Sequence, residues 1–453
     1  MNVEQSSPDI LVQRQKLLTF DWYRTLSGQS VHAFWASFLG WALDAFDYQM
    51  FSFILTAIAA TFVLTQAQSG FIATVTLIVS AFGGMLAGIL ADSIGRVKTL
   101  MITVAVYAVF TFLSGFAPNY PVLLIFRSLQ GLGFGGEWAA GAVLIAEVSN
   151  PEQRGRVLGM IQSAWAIGWG LSLLAYTLVF SLFPPSTGWR VVYWLGILPA
   201  LLIIYVRTKL KEEPDIYKKA HGQVEEPDVH KQTHDQVEAR STDAVAQGAT
   251  TNSFLQLFRP DLLRTTLLAC LLATGAQGGY YAIFTWLPTF LKTTKHLSVV
   301  NSFPYLLVVI VGSFIGYVVS GYINDWLGRR PTFAIYAVCS AILIYLYTQI
   351  PAGANTLLLI LGAPLGFFAS GIFSGFGSYL AELFPTRARG AGQGFTYNFG
   401  RGVGALFPTI IGILSVSIGL GGAIGFGALG YALCLLALIF LPETRGKQLG
   451  SVQ

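Results

Sequence analysis

Uncharged apolar stretches of roughly 20 residues recur along this chain, as in Phe71 to Ala91, Thr99 to Ala117 and Leu357 to Ala381, with short polar breaks between them. Each is long enough to cross a hydrocarbon core of about 30 Å as a helix. The pattern predicts twelve spans, at 31–59, 69–91, 99–117, 121–146, 157–182, 191–206, 265–290, 303–324, 331–350, 354–381, 390–417 and 420–441. They form two groups of six around a polar joint rich in Glu, Lys, Asp, Gln and Thr. The chain thus divides into an N-terminus (1–30), a first bundle (31–206), a linker (207–264), a second bundle (265–441) and a tail (442–453).

Composition sharpens this picture. Hydrophobic residues make up 54% of the 453 positions and charged residues only 11%, against about 25% charged in soluble domains. Forty-nine glycines suit tightly packed membrane helices. Cys270, Cys339 and Cys434 lie far apart in apolar segments, with neither a disulfide framework nor metal-ligand spacing. Of the 27 Lys and Arg, Arg127 and Arg401 fall inside spans, and Arg190, Lys292 and Lys295 fall in odd-numbered loops. The remainder lie in the termini, the linker and the even-numbered loops, which predicts cytoplasmic termini and linker. The net charge of +5 reads as topology and gives no reason to expect a nucleic-acid partner. The first 30 residues are too charged for a signal peptide, so the first span is expected to direct insertion.

A loop motif occurs twice. Gly88-x-x-x-Asp92-x-x-Gly95-Arg96 follows the second span, and Gly321-x-x-x-Asp325-x-x-Gly328-Arg329 follows the eighth. Glu147 and Arg154 come after the first copy, and Glu382 and Arg389 after the second, at nearly the same offset. One helical unit used twice implies an alternating-access transporter. The expected fold class is an all-α membrane protein: twelve transmembrane helices in two pseudo-symmetric six-helix bundles. Gly88 and Gly321 are expected to allow close helix contact. Asp92 and Asp325 are expected to cap a helix or pair with Arg96 and Arg329; topology determination alone is the plainer alternative.

Charges at membrane depth are costly and usually face a cavity. Here they are Asp44, Asp47, Arg127, Glu137 and Arg401. Asp44 and Asp47 sit three apart on one face of span 1, about midway across the bilayer. Arg127 and Glu137 bracket them in depth on span 4. Asp47 is expected to pair with Arg127, and the cluster to take up and release a proton as access alternates. A static ion-pair network bracing the helices is the competing reading. The second half has no acid at membrane depth but carries Arg401, after Tyr397 and Asn398. A buried guanidinium can donate two parallel hydrogen bonds to a carboxylate, so Arg401 is the expected cargo anchor and Arg127 a second one. Tyr48, Gln130, Trp165, Gln277, Tyr280 and Tyr281 are further candidates for a cavity wall; core packing explains such rings equally well.

Twelve spans, a long linker and the doubled loop resemble the major facilitator superfamily over nearly the whole chain. More narrowly, Gly40-Trp-Ala-Leu-Asp44-Ala-Phe-Asp47-Tyr48 and Arg127-Ser-Leu-Gln130-Gly131-Leu-Gly133-Phe-Gly135-Gly136-Glu137 resemble its proton-coupled organic-acid branches: the aromatic-acid and sialate symporters and their monocarboxylate relatives. The aromatic-acid pattern carries Gly where this chain has Ala45, which leans toward the sialate or monocarboxylate side. The resemblance implies one site between the bundles, lined by spans 1, 4 and 7, with the doubled loops as a cytoplasmic gate. It also implies a small organic anion imported by proton symport, protons as the coupling ion with no other cofactor and no metal, and a monomer working in a bacterial inner membrane. Uniport or proton-coupled efflux on the same fold is the alternative; efflux of cations would use the buried acids without needing Arg401. An enzyme is not expected, because no Ser/His/Asp, Cys/His or metal set appears at membrane depth. Gly131-x-Gly133-x-x-Gly136 lacks the strand of a dinucleotide site.

Overall fold

A computed structural model describes Tyr23 and residues 28–148, 154–201, 203, 208 and 253–445. Most of the N-terminus, most of the linker and the last eight positions lie outside the described residues, as do the side chains of Asp92, Arg96, Glu137, Glu147 and Arg154.

The first half comprises α1 (Gly28–Phe62), α2 (Gln66–Ile94), α3 (Arg96–Ser114), α4 (Tyr120–Val148), α5 (Arg154–Leu182) and α6 (Pro185–Leu195). The second comprises α7 (Pro260–Thr293), α8 (Val299–Leu327), α9 (Arg329–Gln349), α10 (Asn355–Gly371), α11 (Phe376–Leu383), α12 (Arg389–Gly404), α13 (Leu406–Gly425) and α14 (Ala428–Phe440). Among the described residues, eight stretches are long and apolar enough to cross a membrane; α14 and most of α3 are shorter apolar helices. Span 10 is α10 and α11 joined by the 3₁₀ segment Ile372–Gly375, a break that apolar length alone does not reveal. Spans 11 and 12 meet inside α13, where Gly419 takes φ 72° and turns the chain. α6 begins well before the predicted position 191, because Pro185 at its first turn is already set for helix.

Local chemistry sets the element boundaries. Thr65 and Gln68 form a reciprocal capping box that starts α2. Gly95 (φ 96°) and Gly328 (φ 108°) occupy backbone conformations that disfavour side chains, so each copy of the loop turns sharply on its glycine. These two turns define what we call the motif face; the far ends of the spans form the opposite face.

The halves touch along two seams. In the first, α5 packs on α8. The Cβ of an alanine at 159 would lie 3.5 Å from the Cα of Gly321, near the motif face, and at Gly170 it would lie 3.7 Å from Ile310. Gly321 thus lies at ordinary packing distance from α5. In the second seam, α2 meets α12 and the start of α13, which together form span 11. A Cβ at Gly70 would come within 2.3 Å of the Pro408 carbonyl oxygen, and Thr74 Oγ1 lies 2.7 Å from Thr409 Oγ1. This seam continues to Gly84 and Asn398. Beyond it, a Cβ at Gly88, Gly390 or Gly394 would meet nothing within 4 Å among the described residues. Among the described residues, the close packing expected at Gly88 is thus not seen.

Candidate functional site

Of the charged residues predicted at membrane depth, four have described side chains and all four are buried; Arg401 lies where the two halves meet, against Phe134 of α4, whereas Asp47 and Arg127 contact residues of the first half. Asp44, Asp47 and Arg127 have no exposed surface, and Arg401 is 3% exposed. Asp47 Oδ2 accepts a 2.8 Å hydrogen bond from Thr111 of α3. The expected hydrogen-bonded pairing of Arg127 with Asp47 does not form among the described residues. Arg127 instead donates from Nη1 to Gln130 and lies 4.7 Å over the Phe51 ring, one turn along α1 from Asp47. Its Nε and Nη2 have no hydrogen-bond partner among the described residues. Gln130 therefore serves Arg127.

Arg401 sits in an aromatic setting. Its guanidinium is 5.3 Å from the Phe134 ring centroid and 5.4 Å from that of Tyr397. Nε and Nη1 lack hydrogen-bond partners among the described residues. A desolvated guanidinium with open donors is costly to bury, which favours occupation by an anion. Tyr48 stacks on Phe134 at 5.4 Å and 12°, and contacts Trp165 and Tyr281 at 5.8 and 6.1 Å. Trp165 Nε1 donates to the Tyr280 hydroxyl at 2.9 Å, and Gln49 Nε2 donates to it at 3.4 Å. Tyr280 is thereby the point where donors from α1 and α5 meet α7.

Two predicted wall residues have other tasks. Gln277 donates from Nε2 to the Tyr397 carbonyl and accepts from the Tyr281 hydroxyl at 3.1 Å, so it fixes α7 against α12. Asn398 donates to the Gly394 carbonyl of its own helix, and its side chain faces Gly84 of α2. It belongs to the second seam. Sequence reasoning passed over Gln49, Phe51, Thr111 and Phe134. Phe134 carried the plainest signal, a lone ring among Gly131, Gly133, Gly135 and Gly136.

On the motif face, Arg329 bonds Asp325 at 2.8 Å and Glu382 at 2.9 Å. The two carboxylates compensate the burial of its guanidinium. Glu443 accepts from the backbone N–H groups of Arg329, Arg330, Thr444 and Arg445 at 2.8–2.9 Å. Burial pushes that carboxylate up, but the four donors outweigh it and hold it below its ordinary range. Arg389 donates to the Ala381 carbonyl and to Thr386.

Two pseudo-symmetric six-helix bundles with ionisable groups buried at membrane depth define a secondary transporter of the major facilitator type. The family described as "Sugar (and other) transporter" matches residues 24–453, and the chain belongs to it. A relative from Cupriavidus pinatubonensis described as a probable 4-methylmuconolactone transporter is 40% identical over 428 residues, covering 94% of each chain. The niacin transporter NiaP of Acinetobacter baylyi is 32% identical, over 92% of this chain and 95% of its own. Among solved structures, the major facilitator superfamily proton:xylose symporter XylE with bound 6-bromo-6-deoxy-D-glucose superposes with a TM-score of 0.70 at 20% identity, covering 93% of this chain and 98% of that one. This chain is a multi-pass membrane transporter.

Proposed function

We propose that this transporter imports a small planar carboxylate together with protons, the motif face being cytoplasmic and the monomer the working unit. The observation that carries this reading is Arg401: a 3% exposed guanidinium with open Nε and Nη1 donors, set among the rings of Phe134 and Tyr397. A carboxylate satisfies such a fork with two parallel hydrogen bonds. The adjoining Tyr48–Phe134 stack and Trp165 offer flat apolar faces to a ring or conjugated chain. Niacin and 4-methylmuconolactone, named for the two relatives, are both ring compounds bearing a carboxyl group, which supports the same cargo chemistry.

Proton coupling belongs to the first half, where Asp44 and Asp47 of α1 are wholly buried and Glu137 extends the acid set in sequence. One proton with one monovalent anion moves no net charge, so the pH gradient alone drives that exchange. Each additional proton adds roughly 2.3 kcal/mol per 100 mV, about 40- to 50-fold accumulation. The gate comprises Gly88, Asp92, Gly95 and Arg96 with Glu147 and Arg154 on one side, and Gly321, Asp325, Gly328 and Arg329 with Glu382 and Arg389 on the other.

The test is uptake into proteoliposomes bearing an inward proton gradient, with labelled nicotinate, 4-methylmuconolactone, lactate and sialic acid as probes. Ring carboxylates should accumulate in the wild type, and a protonophore should abolish the accumulation. Arg401→Ala should lose uptake by about 30-fold or more while remaining in the membrane. Wild-type uptake by Arg401→Ala would end this reading.

A further inference from the structure

The opposite face is electrically one-sided. None of the 22 Asp and Glu falls in the loops that join spans there, whereas Arg190, Lys292 and Lys295 all do. Two of these cations are committed to the fold. Arg190 Nη1 donates to the Gly115 and Ala117 carbonyls at 2.9 and 2.8 Å. Lys295 is 9% exposed, donates to the Ile350 carbonyl and lies over the Phe290 ring. Lys292 differs: it makes no hydrogen bond or ion pair with a described residue.

Its position gives that difference meaning. On α7, Tyr281, Thr285, Thr289 and Lys292 follow one another at intervals of four, four and three, which puts them on one helical face. That face is turned to the other half: Tyr281 contacts Tyr48, and Thr289 Oγ1 lies 3.3 Å from Thr56 Oγ1 of α1. Lys292 is therefore the next step outward beyond the Thr56–Thr289 closure. Taking about 1.5 Å per residue, it stands about 17 Å along the axis from Tyr281. The joining loops of this face hold no carboxylate to neutralise its amine; a passing anion would.

We propose that Lys292 is a recruiting site for carboxylates at the outer mouth, which captures the cargo anion before the closure opens and passes it inward along α7 toward Arg401. This rests on the anion-import reading given above. A fixed positive charge in an acid-free mouth concentrates anions and raises their capture rate, and salt screens that effect. The site acts on capture, so it should govern KM and leave the maximal rate unchanged.

The experiment measures initial uptake of labelled nicotinate by full-length wild type, Lys292→Gln and Lys292→Arg in phosphatidylcholine vesicles. Ionic strength is raised from about 0.01 M to about 1 M, shrinking the Debye length from about 30 Å to about 3 Å. Lys292→Gln should raise KM about threefold to tenfold at low salt, with maximal rate unchanged and the difference gone at high salt. Lys292→Arg should behave as wild type. An unchanged KM in Lys292→Gln at low salt, or a difference that salt does not reduce, would overturn the proposal while leaving anion import standing. Recruitment of cargo is equally overturned if the KM difference appears only when phosphatidylglycerol is added, since Lys292 would then serve a lipid phosphate. Wild type that takes up neither nicotinate nor any other carboxylate would overturn import and recruitment together.

Discussion

The two halves of this transporter share a helical plan but hold different chemistry at their centre. The first half buries two aspartates, Asp44 and Asp47, with Arg127 in the same bundle. The second half buries Arg401 among rings and carries no acid at that depth. A symmetric scaffold thus carries an asymmetric set of buried charges: carboxyl groups on one side and a guanidinium fork on the other. An arginine cannot release its proton in the physiological range, so the proposed mechanism keeps cargo charge and coupling charge on separate side chains. The seams differ in the same spirit. α5 and α8 are packed near the motif face at Gly159 and Gly321, whereas α2 and α12 meet at Gly84 and Asn398 and, among the described residues, nothing lies within 4 Å of a Cβ at Gly88, Gly390 or Gly394.

The largest expected effect comes from breaking the acid side alone. Asp47→Asn should reduce concentrative uptake to an accumulation ratio of about one while sparing exchange of labelled for unlabelled cargo, because the anion fork is untouched. Loss of both activities would place Asp47 in cargo binding.

The second seam offers a pair of opposed substitutions. Gly70→Ala drives a Cβ to 2.3 Å from the Pro408 carbonyl oxygen, whereas Gly88 faces open space among the described residues. Overpacking costs about 1–3 kcal/mol, enough to shift a two-state balance about 5- to 150-fold. Gly70→Ala should destabilise closure of the opposite face, and Gly88→Val should hinder closure of the motif face. Thiol labelling of single cysteines placed at each mouth should therefore move in opposite directions in the two variants.

Thr111→Val removes the 2.8 Å donor to Asp47 Oδ2. A hydrogen bond to a charged group is worth about 1.5–3 kcal/mol. Proton-driven uptake should therefore fall about tenfold or more while exchange of labelled for unlabelled cargo is spared, since the lost donor serves the coupling acid and leaves the anion fork untouched. Thr111→Ser should restore uptake.

Smallest is the effect at Glu443. Its folded-state proton affinity is held below the ordinary value, so its stabilising contribution is present above the unfolded value of about 4.3 and fades as pH falls through the folded one. Glu443→Gln should lower the melting temperature slightly near neutral pH and match wild type in acid. Equal melting at neutral pH would show the four backbone bonds to be dispensable.

Much of this architecture was legible in the chain. Hydrocarbon thickness fixes the length of a span, and a charge is too costly in lipid to occur there by accident, so twelve spans and Asp44, Asp47, Arg127 and Arg401 could be picked out without coordinates. Seams between distant helices could not. Whether Asn398 faces cargo or Gly84 depends on the rotation of α12 against α2, which no local pattern encodes. Depth along two spans is readable in the same way, but the turn of the Arg127 side chain onto Phe51 is not. Ala45 leans toward sialate or monocarboxylate cargo, while the relatives at 40% and 32% identity are named for methylmuconolactone and niacin. One residue beside the acids does not by itself choose among these cargoes.

Nicotinate binding to purified Asp47→Asn and Arg401→Lys, followed by quenching of Trp165 in a background where the other tryptophans are replaced, tests the division between halves most directly. Separate cargo and coupling charges predict near-normal affinity in Asp47→Asn that no longer varies with pH, and affinity weakened about 30-fold or more in Arg401→Lys. Full affinity in Arg401→Lys, or its loss in Asp47→Asn, would contradict that division.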